Sequence, residues 1–596
     1  MAYDRGRVAL RGIAASPGIG VGRAVVIYAD HRYVRRHRID AETARFERDR
    51  LMQAIDRSRR ELEDLRRRLG DSGPADYRLI LDAHLMMHSD ELLADAAIAA
   101  IEEEGVNAEW AVERAVAKIA AHLQQAPMDY FRDRAVDVEH VGRRIVAQLA
   151  GRSSALPLGL SGAVLVVDDL HPADAIHLIE ADVAALACGL GSATSHTAIL
   201  ARALGIPAVV GISGIAAGVG AGDEVIVDAM HGEVVLGAQA DEREDARARG
   251  RRYRQFEHGL RAHGHRRACC TRDGVALALM ANIDLPTDAE ALVEVGAQGI
   301  GLYRSEYLFL KRTELPTEAE QYAVYAELLR RAHPLPVTLR TIDIGGDALK
   351  GAGNAPPVPN PALGLRAIRL ALSQPELFGA QLRAALRAAA LGPLRIMFPL
   401  VAGLDELRRA RTALDEARAA LVRRGEVSGS VEVGVMIELP SAVMMADRFA
   451  AECDFMSVGT NDLVQYGLAV DRSNPAVAYL AQAADPAVLR MLAMIEQAAR
   501  TAHTPVSVCG DMAADPLLLP LVVGLGYRQL SVSVGAVPLV REVVRRIDAA
   551  AAAEVARMAL NCATAAEVHA LLRAEFSGAL GDLWAETGVS TGAPSN

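Results

Sequence analysis

The chain has 596 residues, 51% hydrophobic and 23% charged, with a formal net charge of −11 at pH 7. That length predicts several domains with separate cores in a soluble globular protein. The acidic balance argues against nonspecific nucleic-acid binding and permits a basic protein partner, while Pro520 and glycines interrupt the longest apolar run, 517–525, so no membrane insertion is expected. The N-terminal residues lack the apolar core of a signal peptide. Six cysteines without disulfide-framework spacing point to a reducing, cytoplasmic setting.

Residues 12–28 read as the start of an α/β fold. Glycine-rich turns lead into a strand at 23–28, with no strand predicted before them. The piece therefore fails as a dinucleotide-binding fingerprint, which needs a strand before the glycines and a helix after them. From Asp40 to about Gly151 the pattern is helical. Leu51, Ile55, Leu62, Leu65 and Leu69 recur at helical spacing, and Gly70-Asp-Ser-Gly-Pro74 breaks the run. A second helix carries Leu79, Ile80, His84, Leu85 and Met86, and further helices are predicted over 102–123 and 137–149. Antiparallel helices with short breaks make a bundle, here inserted after a single strand as either a docking module or a structural insert. The α/β pattern resumes at 163–168 and runs through 181–187, 208–211 and 225–228, so the first domain is discontinuous. A charged helix over 242–265 follows it.

One stretch inside this domain carries chemistry. The small-residue loop Gly189-Leu-Gly-Ser-Ala-Thr-Ser195 runs into His196, and Ile199, Leu200, Ala203 and Leu204 continue as a helix closed by Gly205 and Pro207. His196 thus falls in a first helical turn, where free backbone N–H groups and the helix dipole favour an anion. Thr194, Ser195 and Thr197 add hydroxyl donors. The pattern predicts a nucleophilic histidine that carries phosphate.

From residue 276 onward eight strands are predicted, at 276–283, 299–304, 337–343, 394–400, 431–438, 454–462, 506–512 and 527–534, with helical stretches between them. Eight strand–helix units make a parallel barrel whose site lies at the strand C-terminal ends. Those ends carry Arg304 with Glu306, Arg340 with Asp343, Glu438, Asn461-Asp462, and Cys509 before Asp511. Glu438 and Asp462 offer hard oxygen ligands that suit Mg²⁺. Arg304, Arg340 and Arg472 can grip phosphate or carboxylate bidentately. Metal plus arginines implies a small polyanion undergoing phosphoryl transfer. Cys509 is either a buried structural thiol or a proton donor to an enolate.

These motifs together resemble enzyme I of the bacterial phosphoenolpyruvate-dependent sugar phosphotransferase system. The likeness covers nearly the whole chain. It rests on Thr194-Ser-His-Thr-Ala-Ile-Leu-Ala-Arg202, Gly301-Leu-Tyr-Arg-Ser-Glu-Tyr-Leu-Phe309, Leu339-Arg-Thr-Ile-Asp-Ile-Gly-Gly-Asp347, Asn360-Pro-Ala-Leu-Gly-Leu-Arg-Ala-Ile-Arg369, Arg395-Ile-Met-Phe-Pro399, Gly434-Val-Met-Ile-Glu-Leu-Pro440, Ser457-Val-Gly-Thr-Asn-Asp-Leu463 and Val508-Cys-Gly510. The resemblance implies a multidomain α/β chain. A phosphohistidine swivel domain would span 1–36 and 152–238, and an inserted helical bundle, 37–151, would dock a histidine phosphocarrier protein. A helical linker, 239–268, would lead to a C-terminal (β/α)8 barrel, 269–575, which binds phosphoenolpyruvate, and then a tail, 576–596. It implies His196 as the phosphohistidine, with Arg304, Arg340, Asn461, Asp462 and Arg472 on phosphoenolpyruvate. Glu438 and Asp462 would hold Mg²⁺, and Cys509 would protonate the enolate to pyruvate. It also implies a homodimer through the barrel, and His84, Arg134 and Asp137 at the docking surface.

The chain departs from the family pattern at Ser192, His171, Ala348 (with Lys350 two places on) and Asp511. His171 stands where the family commonly has threonine, which bears on the hydrogen bond orienting His196 and on the pH dependence of transfer. Two alternatives compete. A dikinase such as phosphoenolpyruvate synthase needs a large nucleotide-binding domain before the histidine domain. A regulatory, nitrogen-related paralogue usually carries an extra N-terminal sensory domain, and here the swivel domain begins almost at Met1.

Overall fold

The computed structural model describes residues 6–27, 36–69, 85, 88, 91–124, 129–151, 160–168, 170, 178, 182–191, 196–264, 268–309, 315–345, 360–472, 474 and 476–588. The chain divides into two compact units, Met1–Gln255 and Phe256–Asn596.

In the first unit, strands β1 (Val8–Arg11), β2 (Ile13–Ser16), β3 (Ile19–Ile27), β4 (Val164–Val167), β5 (Ala185–Cys188), β6 (Ala208–Val210), β7 (Glu224–Asp228) and β8 (Glu233–Leu236) form one mixed sheet. Its order is β1-β8-β7-β3-β4-β5-β6-β2. β3 through β6 pair in parallel, and the outer pairs are antiparallel. Two strands thus precede the glycine-rich piece, where the sequence predicts none. β1 and β2 are short and mostly exposed, so their side chains show little alternation. Gly20 and Gly22 lie inside β3 rather than in turns. A Cβ at either would overlap a backbone oxygen, that of Ala184 or Gly162, so glycine lets β3 approach its neighbour.

Between β3 and β4 lie helices α1 (Ala41–Leu69), α2 (Glu91–Glu104), α3 (Ala108–Gln124) and α4 (Asp129–Leu149). Asp40 caps α1, accepting the Thr43 N–H at 2.9 Å. Leu51, Ile101, Val112 and Ile145 bring the four helices to one core. The helix predicted over 102–123 is broken at Gly105-Val106-Asn107. Gly105 takes φ +62°, and this segment's backbone pairs with residues 37–39. The Asn107 side chain accepts from the His37 N–H at 3.1 Å and donates to Glu109 at 2.8 Å, so the break is a built joint. The helix predicted around Leu79 and His84 lies outside the described residues, apart from Leu85 and the nearby His88.

Helix α5 (His196–Leu204) follows β5. Helix α6 (Ala240–Gly264) leaves β8, and its Arg243 and Arg249 pair with Glu224 (2.6 Å) and Asp228 (2.8 Å), the two ends of β7. The start of this helix is thereby fastened to the sheet.

The second unit is a closed barrel. Strands β9 (Ala278–Ile283), β10 (Ile300–Arg304), β11 (Val337–Arg340), β12 (Leu394–Phe398), β13 (Val431–Ile437), β14 (Phe455–Val458), β15 (Val506–Val508) and β16 (Gln529–Ser533) pair all in parallel, each with the next and β16 with β9. All eight predicted strands are present, each shorter than predicted. Asn461 and Asp462 are not on a strand. β14 stops at Val458, and both residues sit in the first turn of the helix Thr460–Gly467. The barrel core also runs past residue 575: the helix Ala565–Thr587 buries Phe576, Leu580, Leu583 and Trp584, and the Trp584 indole N–H donates to the Pro516 carbonyl at 3.1 Å. A separate buried cluster of Leu302, Met397, Met436, Phe455 and Cys509 fills the barrel interior.

Candidate active site at the barrel mouth

Charged side chains converge where β9 to β15 end. Arg340 closes β11 and is buried. Its guanidinium pairs with Glu306, just beyond β10, and with Asp343 at 2.9 Å. Asp343 is shared with Arg366, also at 2.9 Å, which reaches Asp462 at 3.4 Å and the Tyr466 hydroxyl at 3.2 Å. Asp462 in turn meets Arg472 at 3.4 Å. Arg304, at the end of β10, faces Asp284 at 3.4 Å. Glu438 follows β13 and is 1% exposed, and its Oε1 accepts the Leu400 N–H at 2.7 Å.

The electrostatics follow from burial and neighbours. Burial drives the Glu438 carboxyl well above the usual carboxylate range, and the Asp462 and Asp343 charges push it further. Burial also acts on Asp343, but Arg340 and Arg366 outweigh it and hold that carboxyl down. The Arg340 charge is likewise favoured despite burial, by Glu306, Asp343 and Glu438. Among the described residues, three buried polar atoms here lack a partner: Arg340 Nε, Glu306 Oε2 and Thr460 Oγ1. Such atoms are costly unless water or a ligand meets them. Leu400 (φ +55°) and Ala367 (φ +52°) flank the site in left-handed backbone that branched and apolar side chains rarely adopt, a strain of roughly 1–2 kcal/mol each. No group of three or more His, Cys, Asp or Glu side chains is gathered for a metal among the described residues; Glu438 and Asp462 make a two-carboxylate set.

Cys509 lies just past β15, buried in the barrel interior. Burial pushes its thiol up to about 11, so it is protonated near neutral pH. The following Gly510 is required by contact: a Cβ there would overlap the Thr460 hydroxyl and crowd its backbone nitrogen. Gly510→Ala is expected to destabilise the barrel by about 1–3 kcal/mol and to lower turnover, measurable as a drop in melting temperature beside a loss of kcat. A wild-type melting curve would contradict this contact.

Three family models match the chain: the N-terminal domain of PEP-utilising enzymes over residues 11–134, their mobile domain over 159–232 and their PEP-binding domain over 260–549. A protein of Bacillus sp. (strain S) named phosphoenolpyruvate-protein phosphotransferase is 38% identical over 575 residues, covering 95% of this chain and 98% of its own. The protein of the same name from Geobacillus stearothermophilus gives the same identity and coverage. The chain belongs to the phosphoenolpyruvate-protein phosphotransferase family. It is an enzyme, a transferase. The NMR solution structure of an Enzyme I protein (nEIt) aligns at 32% identity with 41% of this chain and 99% of its own, with a TM-score of 0.35.

Against that family pattern, the predicted positions fall into three groups. Arg304, Arg340, Asp462, Arg472 and Glu438 are linked at the barrel mouth through direct ion pairs or shared electrostatic neighbours. Asn461 lies beside them on the exposed side, exchanging two 3.0 Å hydrogen bonds with Asp511. His196 is in the other unit, as the first residue of α5, whose end is closed by Gly205 at φ +64°. Arg134 and Asp137 lie on α4; His84, His171, Ser192, Ala348 and Lys350 lie outside the described residues. Arg366 is the member the residue-by-residue reading missed. It sits inside the Asn360–Arg369 motif, but at a helix start after a loop rather than at a strand end.

Proposed function

We propose that this enzyme transfers the phosphoryl group of phosphoenolpyruvate to His196 and then to a histidine phosphocarrier protein, releasing pyruvate, as the first step of a sugar phosphotransferase system. The observation that carries this reading is the convergence of four arginines, two metal-suited carboxylates and a protonated buried thiol on one end of a closed parallel barrel.

Arg304, Arg340, Arg366 and Arg472 bind the phosphate and carboxylate of phosphoenolpyruvate, exchanging carboxylate partners for substrate oxygens. Asn461 and the first turn of its helix orient the substrate. Glu438 and Asp462 would hold Mg²⁺. The fit is electrostatic: a carboxyl forced upward by burial and then by a second carboxylate is relieved by a dication, and two carboxylates with substrate oxygens suit Mg²⁺. When bound, the ion supplies charge neutralisation on the substrate oxygens. The His196 imidazole attacks phosphorus, and the Cys509 thiol gives its proton to the departing enolate.

The remaining assignments belong to the same reading. The swivel domain comprises 1–36 and 152–238, and the bundle 37–151 docks the phosphocarrier. The barrel begins near 269 and mediates a homodimer, and the enzyme is cytoplasmic. No described helix is long and apolar enough to cross a membrane.

With radiolabelled phosphoenolpyruvate and Mg²⁺, the wild-type protein is expected to take up label and His196→Ala to take up none. Label on the alanine variant at the wild-type level would overturn the assignment.

A further inference from the structure

One buried amide behind the charged cluster has no part in the scheme above. Gln381 lies midway along the helix Pro375–Ala388 and is 1% exposed. It shares its face with Phe378, Leu382 and Ala385, all buried. A leucine would fill that face, so an amide there is costly unless its polar atoms are met. Gln381 Oε1 accepts the Ile342 backbone N–H at 3.0 Å. Its Nε2 donates to the Ser305 hydroxyl at 3.0 Å and to the Tyr325 hydroxyl at 3.2 Å. A backbone N–H can only donate, so the amide has one possible orientation. Tyr325 passes its own proton to Gln321 Oε1 at 3.2 Å, and Gln321 Nε2 donates to the Pro316 carbonyl at 3.0 Å. Ser305, Tyr325 and Gln321 are fully buried.

The residues this amide joins are chain neighbours of the charged cluster. The β10–β11 ladder ends at the pair Arg304 and Arg340. Beyond it the two segments part. Ser305 opens a short 3₁₀ turn to Leu308, while the Thr341 N–H donates to the Met397 carbonyl on the β12 side at 3.0 Å. Ser305 stands between Arg304 and Glu306, and Ile342 stands between Thr341 and Asp343. Glu306 and Asp343 are the two carboxylates paired with Arg340. Gln381 therefore continues from the helix layer what the ladder no longer does. Its acceptor holds the backbone of one segment, its donor the side chain of the other.

We infer that Gln381 is a positioning residue for substrate binding: it ties the segment carrying Arg304 and Glu306 to the segment carrying Arg340 and Asp343, and so sets the spacing at which two guanidiniums meet phosphoenolpyruvate. This rests on the proposed binding of phosphoenolpyruvate by Arg304 and Arg340. Two bidentate groups gain from each other only while their separation matches the substrate, and a rigid buried bridge keeps that match before the substrate arrives. Gln381 itself touches no reacting atom and exchanges no proton in the reaction.

The test uses the full-length enzyme with Mg²⁺ and phosphoenolpyruvate over a range of concentrations, following the burst of pyruvate by rapid quench. The burst amplitude counts competent protein, and the concentration giving half the maximal rate reads substrate binding. Gln381→Met keeps the length of the side chain and loses its hydrogen bonds. It is expected to need about tenfold more phosphoenolpyruvate for half the maximal rate, the worth of one charge-assisted hydrogen bond from a slackened arginine, with the amplitude kept. Ser305→Ala, which frees one segment only, should need about threefold more, and carries the test should Gln381→Met fail to fold. Tyr325→Phe breaks two bonds of the same network but leaves Ser305 and Ile342 tied. It should melt lower, as Gln381→Met does, and keep a half-maximal concentration within about twofold of wild type. A lowered amplitude with an unmoved half-maximal concentration in Gln381→Met and Ser305→Ala, the mark of a merely structural brace, overturns the inference. So does an equal shift in Tyr325→Phe, which would tie binding to lost stability. Arg340→Lys separates the two levels. If the wild type gives no burst, or Arg340→Lys is unshifted, the substrate reading fails and the inference with it. If Arg340→Lys is shifted while the Gln381 and Ser305 variants are not, only the role of Gln381 fails.

Discussion

Arg340→Met is expected to abolish phosphoenolpyruvate turnover and to destabilise the barrel unit by about 3–5 kcal/mol, the usual consequence of removing one member of a buried ion cluster. The guanidinium sits among the buried Glu306 and Glu438 and Asp343, whose side chain is 3% exposed. Without it, Glu306 loses its direct cation, and among the described residues Asp343 keeps only the ion pair with Arg366. The uncompensated charges, rather than the lost contacts, dominate the cost. Scanning calorimetry checks the stability and a pyruvate-release assay the turnover. Adding Glu306→Gln to Arg340→Met removes one stranded charge, so the double variant should regain part of the stability and none of the turnover. Equal melting of the single variant and wild type would show that the cluster is wet enough to screen itself. Arg340→Lys should fold better than the methionine variant but bind substrate weakly, because an ammonium cannot span two acceptors in a plane.

The same cluster shows what sequence can and cannot reveal. The eight barrel strands were legible because each is a short, largely apolar run, a pattern that follows from burial on both faces of a parallel sheet, and the second, third, fifth, sixth and seventh lead into polar residues. Their polar ends identified Arg304, Arg340 and Glu438 as site candidates. Arg366 was illegible from that rule because a loop and a left-handed Ala367, not a strand, aim it at Asp343 and Asp462. The strained Ala367 has no sequence signature: alanine is the best helix former, and only the tertiary contacts force φ +52° on it. The sequence places Asp462 on a strand, because the run 455–458 continues into a helix start with no break other than Gly459. In the first unit, β1, β2 and β8 were missed, being edge or near-edge strands of four residues each. The joint at Gly105–Asn107 was hidden because apolar residues keep helical spacing across it, while the hydrogen bonds that fix it come from residues 37–39, far off in the chain.

Glu438→Gln should give a protein that is more stable without metal and nearly inactive with it. Four guanidiniums, those of Arg304, Arg340, Arg366 and Arg472, meet five carboxylates, those of Asp284, Glu306, Asp343, Glu438 and Asp462. Among the described residues the carboxylates outnumber the cations before an anionic substrate arrives, and Glu438 is the one whose charge is least supported. Its carboxyl titrates above its unfolded value of 4.5. The stability it contributes is therefore complete below that value and is lost as pH rises through the folded one, because the folded state holds the proton that the unfolded state releases. At pH 8 the metal-free wild type bears the cost of this ionisation, or of withholding it, and the amide variant does not. We expect the variant to melt roughly 2–4 °C higher at pH 8 and to show a flatter dependence of melting temperature on pH. Mg²⁺ should stabilise the wild type more at pH 8 than at pH 6, since proton and cation compete for the same oxygens. It should leave the variant almost unmoved. A variant that melts below wild type at pH 8, or that keeps the full Mg²⁺-induced shift, would mean that Arg340 alone satisfies Glu438 and that the cation is held elsewhere.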